Sequence, residues 1–268
     1  SIYLVFNSDT VARVLASASS IELTSSTISD NTYSIKVLVR DPAGNLSQPS
    51  STLTGVIIDT QAPAVPDEVR LKTASDSGIK TNDRLTNDST PAFTVYGVTN
   101  TDSVIVLIDG STGASGISSA ATIDLTASSA LFDGEYTITS QSIDLAGNES
   151  IVSGSINLRI DTQAPSVPNV PDLLTTDDSG FDNFDNYTNI DQPSFDFTGL
   201  SNTIDSLRVF VDGVFSNASI MSQVSQDTLQ LGSSLTDGTY SLTLVAIDSA
   251  GNTSLASAAL SVTIVLID

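Results

Sequence analysis

The sequence predicts an all-β chain of tandem antiparallel sandwiches strung into an extended rod. Three observations carry this: a repeat of about 100 residues, short apolar runs bounded by turn residues, and the lack of any window with a capped helical stripe.

The repeat is set by three markers. Asp41-Pro42-Ala43-Gly44-Asn45, Asp144-Leu145-Ala146-Gly147-Asn148 and Asp248-Ser249-Ala250-Gly251-Asn252 share the pattern D-x-A-G-N at intervals of 103 and 104 residues. Ile58-Asp59-Thr60-Gln61-Ala62-Pro63 recurs at Ile160-Asp161-Thr162-Gln163-Ala164-Pro165, and the chain reaches Ile267-Asp268 where a third copy would begin. Asp76-Ser77-Gly78 matches Asp178-Ser179-Gly180, and Asp83, Asn87 and Pro91 match Asp185, Asn189 and Pro193, all at an offset of 102. These markers divide the chain into units at 1–60, 61–162 and 163–268. Ser1 to Phe6 aligns with Ser103 to Ile108, so the first unit is expected to lack its N-terminal strands.

Within a unit the strands follow in order. Phe93 to Tyr96, Val104 to Ile108, Tyr136 to Thr139 and Ile156 to Ile160 alternate or cluster apolar residues between Gly, Pro, Asn and Asp, which is strand punctuation. Asp30-Asn31-Thr32-Tyr33, Asp133-Gly134-Glu135-Tyr136 and Asp237-Gly238-Thr239-Tyr240 each put a Tyr just after a tight turn and before a strand. That placement is a tyrosine corner, which marks an immunoglobulin-like sandwich. The strand from Tyr136 is then F, D-x-A-G-N is the F–G turn, the strand ending at Asp161 is G, and the D-S-G segment is the A–B loop.

Composition excludes several function classes. There is no Cys, no Trp and no His, so no triad, no Cys–His pair and no thiolate or imidazole zinc cage can form, and the chain is read as not an enzyme. Acidic side chains number 31 against 9 basic ones, for a net charge of -22, which disfavours phosphate backbones and anionic lipid. The natural small partner is a cation. The acid is 27 Asp against 4 Glu, and Asp belongs to turns and caps, so the charge sits in loops. No apolar run reaches the ~18 residues of a membrane span, so neither nucleic acid binding nor membrane insertion is expected.

The D-x-A-G-N-x-S strings, the Ile-Asp-Thr-Gln-Ala-Pro linkers and the paired Asp76–Pro91 and Asp178–Pro193 segments resemble the bacterial Ig-like repeats of giant surface adhesins. Closest in style are the stalks of type I-secreted non-fimbrial adhesins and biofilm-associated proteins. The resemblance covers the whole chain. It implies an extracellular life, secreted or on a bacterial cell surface, with calcium at or near the junctions between successive units. It also implies a host-cell or surface ligand bound through another region. The chain lacks the family's secretion signal and any G-G-x-G-x-D repeats.

Calcium takes about six to eight oxygen ligands, so sites are sought where Asp, Asn and freed carbonyls converge on loops. The F–G and B–C loops of a sandwich face the preceding unit. Asp144 and Asn148 are therefore expected near Asp59, and Asp248 and Asn252 near Asp161, with Asp102 and Asp205 as lesser members. The second candidate is the A–B loop, with Asp76, Asp83, Asn87 and Asp88 in one copy and Asp178, Asp185, Asn189 and Asp191 in the next, beside the additional Asp177 and Asp182. Like charges crowded on one loop favour a cation. The plainer alternative is that these residues only form turns, with Asp capping amides and Gly supplying positive φ. Asp133 and Asp237 are read as turn formers, and the N-x-S/T strings at Asn45, Asn148 and Asn252 as part of the turn rather than glycosylation sites.

The function these readings give is a structural stalk, stiffened by calcium at its junctions and A–B loops, that projects a distal adhesive region. The alternative is a glycan- or host-protein-binding module. The one unusual aromatic group, Phe181, Phe184 and Tyr187, is read as covering a calcium loop rather than as a sugar platform.

Overall fold

The computed structural model describes residues 1–198, 200, 204–221 and 228–266, without the side chains of 205 and 217–221. The described residues contain strands, turns and bends and no helix.

The chain opens with β1 (Ile2–Phe6), β2 (Asp9–Val14), β3 (Asn31–Val39) and β4 (Leu53–Ile58), which pair in the order β2-β1-β3-β4. All of its pairs are antiparallel. Among the described residues no second sheet pairs with it, and Val39, Leu53 and Ile57 stay exposed.

The middle body is a two-sheet sandwich. One sheet has β5 (Glu68–Leu71), β7 (Ala92–Tyr96) and β10 (Thr122–Thr126) in the order β10-β7-β5. The other has β6 (Leu85–Thr86), β8 (Ser103–Ile108), β9 (Ser111–Ile117), β11 (Gly134–Ile143) and β12 (Ile156–Ile160) in the order β6-β12-β11-β8-β9. Read as Ig strands, these are E-B-A facing A′-G-F-C-C′. The inward positions of the period-2 pattern meet between the sheets: Val69, Phe93 and Val95 from one side pack with Val104, Val106, Ile138 and Leu158 from the other.

The last body repeats the plan. β13 (Asp172–Leu173), β15 (Ser194–Asp196) and β18 (Thr228–Gln230) face β14 (Tyr187–Thr188), β16 (Ile204–Val211), β17 (Val214–Met221), β19 (Gly238–Asp248) and β20 (Leu260–Ile264). Leu173 and Phe195 fill the core with Leu207, Val209, Leu242, Leu244 and Val262.

Two local devices recur. The corner tyrosines donate their hydroxyls four residues upstream, Tyr33 to Ser29 O at 2.8 Å, Tyr136 to Phe132 O at 2.9 Å and Tyr240 to Thr236 O at 3.0 Å. The A–B segment also changes sheets. It leaves β5 in one sheet and re-enters the other through β6, which pairs in parallel with the end of β12. Asp161 N then donates to Thr86 O at 2.9 Å, which holds the A–B loop against the start of the linker. That crossing places the loop at the C-terminal pole of its sandwich.

Candidate metal sites at the unit junctions

The D-x-A-G-N turn closes on itself. In the middle sandwich Asp144 Oδ1 accepts the amides of Ala146 at 2.8 Å and Asn148 at 2.9 Å, and Oδ2 accepts Asn148 Nδ2 at 2.9 Å. The Asn148 side-chain hydrogen bond holds the Asp144 carboxyl below the usual carboxylate range, with the turn amides adding to it. The same Nδ2 reaches back to the preceding linker, 3.1 Å from Asp59 O. In the last sandwich Asn252 Nδ2 donates to Asp248 Oδ2 at 2.9 Å and to Asp161 O at 2.8 Å. The structure therefore brings Asp144 and Asn148 to Asp59, and Asp248 and Asn252 to Asp161, through Asn amides and linker carbonyls.

The linker carboxylates turn inward on their own backbone. Asp59 Oδ1 accepts Gln61 N at 3.1 Å, and Asp161 Oδ1 accepts Gln163 N at 3.2 Å. The next linker residue is tied to the D-G-x-Y turn: Asp133 Oδ1 accepts both the amide and the hydroxyl of Thr162 at 2.8 Å. Asp237 does the same for Leu266 N at 2.7 Å. These two aspartates bind the linker as well as shaping their turns, a role that sequence reasoning missed.

The serine of each N-x-S string has a structural partner. Ser47, Ser150 and Ser254 accept strand amides from Val39, Ser142 and Ala246 at 2.9 to 3.0 Å. Ser150 and Ser254 are buried. The strings mark a turn that locks onto strand F.

The B–C loop adds a residue that sequence reasoning ranked low. Asp102 is buried and its Oδ2 has no hydrogen-bond partner. Burial pushes its carboxyl up, and the charge of Asp144 pushes the same way. Asp205, its expected counterpart, lies outside the described side chains.

In the A–B loops the structure buries Asp76 and Asp178 and leaves Oδ1 of each without a partner. The other oxygen accepts a loop amide, from Arg84 at 3.3 Å and Asn186 at 3.1 Å respectively. Burial pushes the carboxyl of Asp76 up, and the negative charge of Asp83 adds to this. Burial pushes Asp178 up, with Asp185 and then Asp182 adding to it. The charges of Asp83, and of Asp185 and Asp182, thus act on the two buried carboxylates.

Asp88 Oδ1 accepts Thr90 N at 2.9 Å, Asn87 N donates to Ser77 Oγ at 2.8 Å, and Asn189 N donates to Ser179 Oγ at 2.8 Å. Asp191 is exposed. Among the described residues no group of three or more carboxylates stands in a geometry that could hold a metal ion. The aromatic trio also departs from expectation: Phe181 is 109%, Phe184 75% and Tyr187 51% exposed, so it covers no loop of its own sandwich.

These features define tandem Ig-like sandwiches with linked poles. Residues 63–162 and 164–264 each match the bacterial Ig-like domain, and the chain belongs to that family. No curated protein matches the chain.

Among solved structures it is similar to the fibronectin(III)-like modules of Clostridium thermocellum CbhA, at 12% identity and TM-score 0.45 over 74% of this chain and 94% of that one. It is similar to a Ca2+-stabilized adhesin that helps an Antarctic bacterium bind ice, at 19% identity and TM-score 0.40 over 88% of this chain and 57% of that one. A 1.5-MDa bacterial ice-binding adhesin gives 17% identity and TM-score 0.38 over 99% of this chain and 86% of that one. These overlays are loose, and the family assignment rests on the domain match. No helix among the described residues is long and apolar enough to cross a membrane.

Proposed function

We propose that this chain is a stalk segment of a bacterial surface adhesin, secreted or held at the cell surface, whose Ig-like units are stiffened by calcium and project an adhesive region carried elsewhere. The observation that carries the calcium part is the repeated orphan. Asp76 Oδ1 and Asp178 Oδ1 occupy equivalent places in two sandwiches, buried and unpaired, each with a further carboxylate beside it. A buried carboxylate oxygen left without a partner costs about 1 to 3 kcal/mol or more, so its recurrence favours a bound cation.

Asp76 with Asp83, and Asp178 with Asp185, would hold the ion in the A–B loops. Asp102 with Asp144, near the Asp59 linker, would hold it at a junction, as would Asp248 near Asp161. Each is a small set of carboxylates, and a hard cation of this kind completes its shell with carbonyl oxygens and water. The bound ion supplies positive charge that neutralises the crowded acids and ties successive poles together. What the protein itself supplies is the arrangement: the turn fixes Asp144 and Asp248, and the Asn amides fix the linker carbonyls.

The stalk reading is supported by the serial plan and by junction contacts that reach across the linker. It follows that the chain works as a spacer and not as an enzyme. Isothermal titration of calcium into chelator-stripped protein, with small-angle scattering of both forms, tests it. Saturable binding with a rise in the maximum dimension is expected; no binding at millimolar calcium sinks the clamp.

A further inference from the structure

The A–B loop of the middle sandwich is also a docking site. Ser77 Oγ, held by the amide of Asn87 at 2.8 Å, donates to Ala250 O at 2.6 Å, in the D-x-A-G-N turn of the next unit. Gly78 (φ +88°) and Gly251 (φ +92°) face each other there: a Cβ on Gly251 would lie 2.8 Å from Gly78 N, and a Cβ on Gly78 would collide with Ser249 O. Only glycine permits both the backbone conformation and this approach. Leu85 borders a cleft of about 390 Å³ with Ala164, Pro165, Asp248 and Ser249. Ala250, seated in this contact, is 1% exposed.

The molecule contains its own control. The turn at Asp144 to Asn148 has the same pattern, but the body before it is a single sheet with no A–B loop. Its Ala146 is exposed, and a Cβ on Gly147 would meet nothing within 4 Å. The A–B loop, and not the turn, is what buries the alanine.

We propose that the A–B loop of the last sandwich, centred on Ser179 and Gly180, is an open socket for the D-x-A-G-N turn of a further Ig-like unit joined in series behind it. Ser179 is positioned as Ser77 is, accepting Asn189 N at 2.8 Å, but its proton goes to Asn189 Oδ1 at 2.8 Å in place of a neighbour's carbonyl. The atoms nearest to a Cβ on Gly180 belong to Asp182 and Asp185 of its own loop, at 3.5 to 3.7 Å. Around it stand the exposed Phe181, Phe184 and Tyr187, with Tyr187 at the position of Leu85 in the filled socket. An exposed apolar group of this kind marks an interaction surface. The filled socket one unit earlier, continuous with the same fold, says what covers it. The inference rests on the serial reading above but not on calcium.

The test appends residues 162–266 directly after Asp268 and follows hydrogen exchange, with calcium and with chelator. The extended chain holds 178–190 twice: exchange of the inner copy is expected to slow about tenfold or more, towards that of 76–88 in the same molecule, because docking must now open first, while the appended copy stays fast. Gly180→Val should restore fast exchange there while the strand Gly238–Asp248 keeps its protection, which separates lost docking from lost folding. Protection with calcium alone still supports the socket and couples it to the clamp. Unchanged exchange in both buffers overturns the socket, whatever the calcium titration gives. Concentration-dependent protection of 178–190 in the unextended chain overturns the tethered partner in favour of a second copy.

Discussion

Asn252 Nδ2 donates to Asp161 O at 2.8 Å, joining the turn of the last sandwich to the linker 91 residues earlier. Its equivalent, Asn148 to Asp59 O, is longer at 3.1 Å and more exposed. The difference follows from what surrounds each turn: the A–B loop packs over the first and is missing beside the second.

Asn252→Ala removes the bond to Asp161 and leaves Asp248 Oδ2 without its Asn partner inside a buried turn. A loss of about 1 to 3 kcal/mol is expected from such a buried orphan. Asn148→Ala, in a more exposed turn, should cost less. Urea unfolding of the two variants measures the order, and equal losses would mean that burial at the junction does not matter.

The acids divide by pH sign. Asp76, Asp102 and Asp178 are raised by burial, so without calcium the stability they contribute is full below the ordinary value of 3.8 and is lost as pH rises through their raised folded values. Asp144 is lowered, first by its Asn148 hydrogen bond, so its contribution is present above 3.8 and lost as pH falls through its lowered folded value. In chelator at neutral pH, Asp102→Asn should therefore unfold at higher urea than the parent, and Asp144→Asn at lower urea. Both differences should shrink at pH 3 and below. Chemical denaturation across pH checks the signs, and the opposite order would overturn the assignment.

Calcium should add stability by mass action, ~2.7 kcal/mol per site at a hundredfold excess over Kd. Asp76→Asn and Asp178→Asn should each remove one such increment and, in chelator, should equal or exceed the parent in stability. Thermal unfolding with and without calcium reads this. A parent chain whose midpoint ignores calcium would falsify the clamp.

The tyrosine corners give a prediction independent of metal. Tyr136→Phe removes the hydroxyl that bonds Phe132 O at 2.9 Å while keeping the ring. A loss of about 0.5 to 1.5 kcal/mol is expected, the usual net worth of one hydrogen bond. Tyr240→Phe should cost a similar amount, and urea midpoints of the pair check it.

The all-β class, the corner tyrosines and the turn at each Asp-x-Ala-Gly-Asn are legible in the chain because each is written in local spacing, and the tandem Ig-like plan because those signals recur at intervals of 103 and 104 residues. Period-2 patterning fixes a strand's inner face, and Asp and Gly at set offsets fix a turn's backbone. The sequence also marks Asp76 and Asp178 through their repetition. Which acids are buried depends on packing, since Asp102 and Asp88 look alike in sequence, yet one is buried with an unpaired oxygen and the other caps Thr90 in its own turn. The tertiary fold alone brings Ser77 to Ala250, 173 residues apart. The physical reason is that burial and long-range contact depend on where a strand crossing delivers a loop. Here the passage from one sheet to the other carries Asp76-Ser77-Gly78 to the pole that meets the next unit.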